Sequence, residues 1–186
     1  MKVLHGPLAG LIIFEPRVFA DSRGWFMESW SERFYKERGL PQHFVQDNIS
    51  SSHRGVVRGL HFQNPHAQGK LVSVLEGEVL DIALDIRCGS PTFGKWESVI
   101  LSSDNRRQLY LPPGFAHGFQ VISEKALFYY KCTDAYHPEC EQTILCNDPD
   151  LSISWPIRPV EISDKDGAAK PLKSFGPEKL PSWSNV

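Results

Sequence analysis

The sequence predicts a mainly β protein, a sandwich or barrel of antiparallel strands, and three observations carry that expectation. Short apolar segments recur through the middle of the chain, separated by Gly, Pro, Asn and Asp. Helical periodicity is scarce, whereas Glu78 to Arg87 alternates cleanly, with Leu80, Ile82, Leu84 and Ile86 on one face and Val79, Asp81, Ala83, Asp85 and Arg87 on the other. Gly77, Gly89-Ser90-Pro91, Asp104-Asn105 and Pro112-Pro113-Gly114 fall where turns between strands are needed.

The first element in chain order is a helix over Ser31 to Arg38, with Ser31 as N-cap, Gly39 as C-terminal stop and Pro41 following, and it reads as a short surface helix. Strands are expected at Leu71 to Leu75, at Glu78 to Arg87 with one core side, and at Trp96 to Leu101. Gln108 to Leu111, Gly118 to Ile122 and Leu127 to Thr133 complete a set large enough for a closed or two-sheet architecture. After Pro156 the composition turns to Pro, Gly, Ser and Lys, so a tail from about residue 157 is expected to wrap the body. A chain of 186 residues then forms one domain, residues 1–186.

Composition excludes several classes. Hydrophobic residues make up 41% and charged residues 23%, the balance of a globular protein, and no apolar run reaches the ~20 residues of a bilayer crossing. Met1 to Gly10 has one Lys and no continuous apolar core of a signal peptide, so a cytoplasmic protein is expected. Cys88, Cys132, Cys140 and Cys146 show no CxxC spacing and read as free thiols. A net charge of −2 leaves no broad basic field for nucleic acid, so an anionic ligand must be held by a few placed Arg or Lys side chains.

Three polar clusters interrupt apolar strand signals: Arg58-Gly59-Leu60-His61-Phe62-Gln63, Gln68-Gly69-Lys70, and Pro112 to Phe119 with His117 inside it. The spacing Pro112-x-Gly114-x-x-His117 looks like the second half of the cupin signature. A metal-binding cupin would carry His-x-His and then Glu, whereas this chain has His61-Phe62-Gln63 and, where the acid would stand, Lys70. An ammonium has no lone pair to donate and its charge opposes a divalent ion, so no metal is expected at these residues. Proton transfer beside a carbonyl suits them better, because it needs a base near neutral pKa, a cation facing the developing enolate and an acid, roles open to His61, Lys70 and Tyr130. Singly, each has a plainer reading: a hydrogen-bonded core histidine, a solvated lysine at a strand end, and a packed aromatic with its hydroxyl at the surface.

Phe19 to Glu28, Phe44 to Asn48, Gly55 to Gln63, Asp85 to Trp96, Gly114 to Phe119 and Asn147 to Pro149 together, in order, resemble the dTDP-4-dehydrorhamnose 3,5-epimerase family, with matches from about Phe14 to Asp166. The resemblance implies a cupin-type antiparallel jelly roll, a double-stranded β-helix with a few short helices. It also implies a homodimer that exchanges its N-terminal segment, a sugar-nucleotide substrate and no cofactor. By position, His61 would be the base that removes protons alpha to the C4 ketone of dTDP-4-dehydro-6-deoxy-glucose. Lys70 would stabilise the enolate, Tyr130 would deliver a proton from the opposite face, and Asp166 would orient His61, with Asp164 as the competing assignment. The resemblance places Arg23, Glu28, Gln46, Asp47, Asn48, Arg58, Lys70, His117, Glu141 and Lys165 around the substrate, and Tyr136 against the thymine ring. Arg23, Arg58 and Lys165 suit a pyrophosphate, whose oxygens accept charge-assisted hydrogen bonds without a metal. Gln46, Asp47 and Asn48 also read as turn formers. Trp25 stands where the family has Phe, and related enzymes that epimerise C3 or C5 alone share the catalytic set.

Overall fold

A computed structural model describes residues 1–40, 43–158 and 161–183. Its strands are β1 (Lys2–His5), β2 (Ile12–Glu15), β3 (Phe19–Asp21), β4 (Gly24–Phe26), β5 (Gln46–His53), β6 (Val57–Gln63), β7 (Lys70–Glu76), β8 (Glu78–Asp85), β9 (Trp96–Ser102), β10 (Gln108–Leu111), β11 (Phe115–Val121), β12 (Lys125–Cys132) and β13 (Glu141–Thr143). Helices α1 (Glu32–Lys36) and α2 (Asp164–Gly167) are short. One antiparallel sheet has the order β1-β2-β10-β7-β12-β5, the facing one β13-β6-β11-β8-β9, and β3 and β4 form a separate hairpin. No described helix is long and apolar enough to cross a membrane.

The two sheets form a jelly roll around a core of Val72, Val74, Val79, Ala83, Val99, Leu101, Leu109, Leu111, Phe115, Phe119, Val121, Ala126 and Phe128. Strand β8 corrects the one-core-side expectation. Leu80, Ile82 and Leu84 do share a face, but Val79, Asp81, Ala83 and Asp85 on the other are buried as well. The reason is a second apolar layer: Leu151, Ile153, Trp155, Leu172 and Leu180 of the C-terminal segment cover the outer face of the second sheet at Ile82, Leu84 and Ile86. Each fully buried aliphatic side chain there contributes roughly 1.5–3 kcal/mol.

Helix α1 occupies the expected place, shortened by a residue or two at each end. Ser31 is its N-cap residue, with no side-chain cap bond, and Gly39 ends it at φ +100. Pro41 lies outside the described residues. The helix is more than a surface element, because Tyr35 is 0% exposed and packs with Phe14, Leu40, Leu71 and Tyr110 on the outer face of the first sheet.

Two glycines set the spacing that matters for the site. A Cβ on Gly59, at φ +118, would stand 2.6 Å from Gly118 Cα and from His117 O, and one on Gly118 would stand 2.6 Å from Arg58 O. With no side chains there, β6 and β11 approach closely and bring His61 opposite His117 in the ladder.

Candidate active site

Strand alternation, interrupted on β6 by a register shift that brings both Arg58 and His61 inward, decides which side chains meet in the mouth of the barrel. Gln46, Asn48 and Ser50 from β5, Arg58 and His61 from β6, Lys70 from β7, His117 and Phe119 from β11, and Phe128, Tyr130 and Cys132 from β12 line one cavity of about 370 Å³, together with Gln63, Gln68, Tyr136 and Glu141. That volume is within the range of small-ligand sites.

His61 stands on β6 with its side chain 30% exposed, and its Nε2 is 2.7 Å from Asp166 Oδ1. Asp166 is carried by α2, whose first turn is capped where Ser163 Oγ accepts the Asp166 N–H, and its second oxygen accepts the Gly59 N–H at 3.3 Å. Burial pushes the Asp166 carboxyl upward, but the hydrogen bond and charge of His61, with Gly59 N–H, outweigh it and hold the carboxyl below its ordinary value. Asp164, the competing partner, is exposed at the start of the same helix.

Lys70 is the first residue of β7, opposite Cys132. Burial drives its ammonium below the ordinary lysine value, with Cys132, Glu141 and Asp81 only partly opposing that. Beside it on the neighbouring strand β12, in the sheet facing His61, Tyr130 is raised above the ordinary phenol value by burial, Cys132 adding to this and Arg58 opposing it. His117 is buried and its Nε2 meets both oxygens of Asp81, at 2.9 and 3.1 Å. Both histidines therefore present Nε2 to a carboxylate and Lys70 adds a cation to the same cavity, a donor set that does not fit the metal cage of a cupin.

At the rim, Glu141 accepts hydrogen bonds from Lys165 Nζ and, at 2.8 Å, from Tyr136 Oη. Burial raises the Glu141 carboxyl, but Lys165 and Tyr136 hold it below its ordinary value. Arg58 is fixed by its Nε donating to Ser52 Oγ at 2.9 Å. Lys165 lines an adjoining cleft with Arg58, His61 and Asp166.

Besides Lys165, in the adjoining cleft, three expected substrate residues are not brought to this cavity. Asp47 lies on β5, not in a turn, and a pleated strand that sends Gln46 and Asn48 inward sends the residue between them outward. There Asp47 accepts hydrogen bonds from Lys131 Nζ at 2.7 Å and Tyr129 Oη at 2.9 Å. Arg23, whose side chain is 87% exposed, pairs with Asp21 in the β3–β4 hairpin, and Glu28 lines a separate surface hollow with Phe19, Phe26 and Phe34.

The model of the dTDP-4-dehydrorhamnose 3,5-epimerase family matches residues 5–174. The chain belongs to that family. The dTDP-4-dehydrorhamnose 3,5-epimerase of Methanothermobacter thermautotrophicus is 51% identical over 175 residues, 92% of this chain and 95% of its own. The crystal structure of dTDP-6-deoxy-D-glucose-3,5-epimerase from Legionella pneumophila Philadelphia 1, in complex with dTDP-4-keto-L-rhamnose, is 52% identical over 98% of each chain, with a TM-score of 0.96. A 3'-monoepimerase from Streptomyces bikiniensis, in complex with dTDP-quinovose, is 32% identical over 95% of this chain and 91% of that one, with a TM-score of 0.86.

In this epimerase fold several cavity residues escaped the sequence reading. Asp81 looked like the polar face of a half-exposed strand, and only the burial of both faces of β8 shows it as the partner of His117. Phe119, Phe128 and Cys132 look like ordinary core in the sequence, and Gln63 and Gln68 stood in the polar clusters without a role.

Proposed function

We propose that this chain epimerises C3 and C5 of dTDP-4-dehydro-6-deoxy-D-glucose, giving dTDP-4-dehydro-L-rhamnose, in the cytoplasm. The observation that carries the reading is the meeting of the His61–Asp166 pair, Lys70 and Tyr130 in one cavity. The hydrogens at C3 and C5 are acidic because each carbon adjoins the C4 ketone. His61 takes one of them, and the depressed Asp166 carboxylate stabilises the imidazolium that forms. Charge moves onto the ketone oxygen as the enolate develops. Lys70, half-buried and in no ion pair among the described residues, gains its counter-charge at that moment, so its attraction is stronger in the transition state than in the ground state. Tyr130 stays a protonated phenol at neutral pH and returns a proton from the opposite wall, which inverts the carbon.

Arg58 and Lys165 supply charge for the pyrophosphate, Gln46, Asn48 and Glu141 supply polar contacts, and Tyr136, which lines the cavity, stacks on the base. Arg23 and Glu28 serve the same cavity from a second copy of the chain. That homodimer, with its N-terminal segment exchanged, is supported by the β3–β4 hairpin, where Phe19, Trp25 and Phe26 are 51, 54 and 68% exposed.

The test is incubation with the 4-keto sugar nucleotide in deuterated water. Solvent deuterium at both C3 and C5 of the product is expected, and incorporation at one carbon alone would replace the proposal with a monoepimerase.

A further inference from the structure

We propose that the rim of the cavity carries a second site, for a zinc-class divalent cation, built from His66, Asp134 and His137, separate from the catalytic groups. His66 belongs to the loop between β6 and β7, while Asp134 and His137 belong to the segment between β12 and β13. One carboxylate stands between a nitrogen of each ring: Asp134 Oδ2 is 3.3 Å from His66 Nδ1, and Asp134 Oδ1 is 3.9 Å from His137 Nε2. The imidazoles lie face to face, with centroids 4.1 Å apart and planes 17° from parallel. Glu139 Oε1, 3.4 Å from His137 Nδ1, accepts from the other nitrogen of that ring and orients it.

The ligand-capable atoms of His66, Asp134 and His137 lie within 4.8 Å of one another. A tetrahedral zinc with bonds of about 2.0–2.1 Å holds its donors roughly 3.3 Å apart. Side chains that are 48, 40 and 30% exposed, for His66, Asp134 and His137 respectively, have room to rotate through that difference. The backbone beneath them is already fixed. Gln63 Nε2 donates to His66 O at 2.8 Å, and Gln68 Nε2 donates to Asp134 O at 2.9 Å. Gly69 N donates to Thr133 Oγ1 at 2.7 Å. His66 itself sits at φ +65, a left-handed conformation unfavourable to a non-glycine residue that these bonds sustain.

Imidazole nitrogen with carboxylate oxygen selects zinc, nickel or copper over magnesium and calcium. Bound there, the ion ties the β6–β7 loop to the segment that carries Tyr136, and so fixes the side of the cavity that meets the base.

The experiment is calorimetric titration of the full-length, chelator-treated protein with Zn²⁺, beside the absorption spectrum of the Co²⁺-loaded protein. One Zn²⁺ per chain and a tetrahedral Co²⁺ spectrum are expected, with no uptake of Mg²⁺. His66→Ala and His137→Ala should each weaken Zn²⁺ binding by at least about 10- to 100-fold, the loss that even an outer partner of a metal ligand brings. His53→Ala, at an exposed histidine paired with Glu161, should leave it unchanged. Asp134→Asn, which keeps the side-chain shape and the oxygen that accepts the Ala135 N–H, repeats the test should a histidine variant fail to fold. Absence of stoichiometric uptake, or unaltered affinity in the variants of these three residues, would overturn the proposal.

Discussion

Asp166→Asn removes the charge that faces the imidazolium while keeping the size of the side chain. Unit charges about 4 Å apart interact by about 4 kcal/mol at an effective dielectric of about 20. His61 is 30% exposed, so roughly half of that, ~2 kcal/mol, survives solvent screening. The charge is needed only when His61 carries the abstracted proton, so the loss belongs to the chemical step, and ~2 kcal/mol is about 30-fold in rate. Asp166 is behind His61 and is not part of the cavity lining, so KM should change by less than about two-fold. The assay is steady-state turnover of the 4-keto sugar nucleotide, with solvent deuterium uptake as an independent readout of proton abstraction. A fall in kcat under about three-fold, or a KM that rises in proportion to the lost rate, would refute the role given to Asp166.

Lys70→Met should lower kcat by ~10²–10³, the loss expected when a group facing a developing oxyanion is removed. The same change should raise Tm, because it takes out a buried ammonium whose charge folding disfavours; each kcal/mol gained is about 2–4 °C for a chain of this size, and thermal melting checks it. Asp85→Asn should cost about 3 kcal/mol or more at neutral pH, since it leaves the buried Arg87 guanidinium without its carboxylate. Burial raises the Asp85 carboxyl, but Arg87, Ser90 and Thr92 together hold it below its ordinary 3.8, so its stabilisation is full above that value and fades as pH falls through the lower folded value. The Tm gap between wild type and Asp85→Asn should therefore close in acid, and a gap independent of pH would contradict this. Arg23→Ala and His61→Ala chains, each inactive alone, should regain activity after mixing and subunit exchange, because one cavity of the mixed dimer then holds both native residues; continued inactivity of proven heterodimers would refute the shared site.

The sequence made the central strands legible and the edges opaque. The alternation from Leu80 to Ile86 located β8, and Gly77 and Gly89-Ser90-Pro91 located its turns, because apolar periodicity and turn chemistry are local signals. Strand β5 gave no such signal: Gln46-Asp47-Asn48-Ile49-Ser50-Ser51-Ser52-His53 has one large apolar residue, and pairing with β12 holds it in place. The motif around His61 marked the cavity, and Asp166 joined it through family resemblance rather than spacing, since nothing local links two residues so far apart. The outward turn of Asp47 was hidden for the opposite reason, because a run of three matching residues obscured the alternation that points the middle one away from the cavity.

The His61–Asp166 contact spans 105 residues and joins a strand of the barrel to a helix of the segment wrapped around it. With the role proposed for Asp166, turnover should read out the docking of that outer segment, a step that circular dichroism of the sheets does not see. During refolding the spectrum should recover as the barrel closes, while turnover waits for the wrap. Under mild denaturant, turnover lost ahead of the β-sheet spectrum would show this outer segment releasing first.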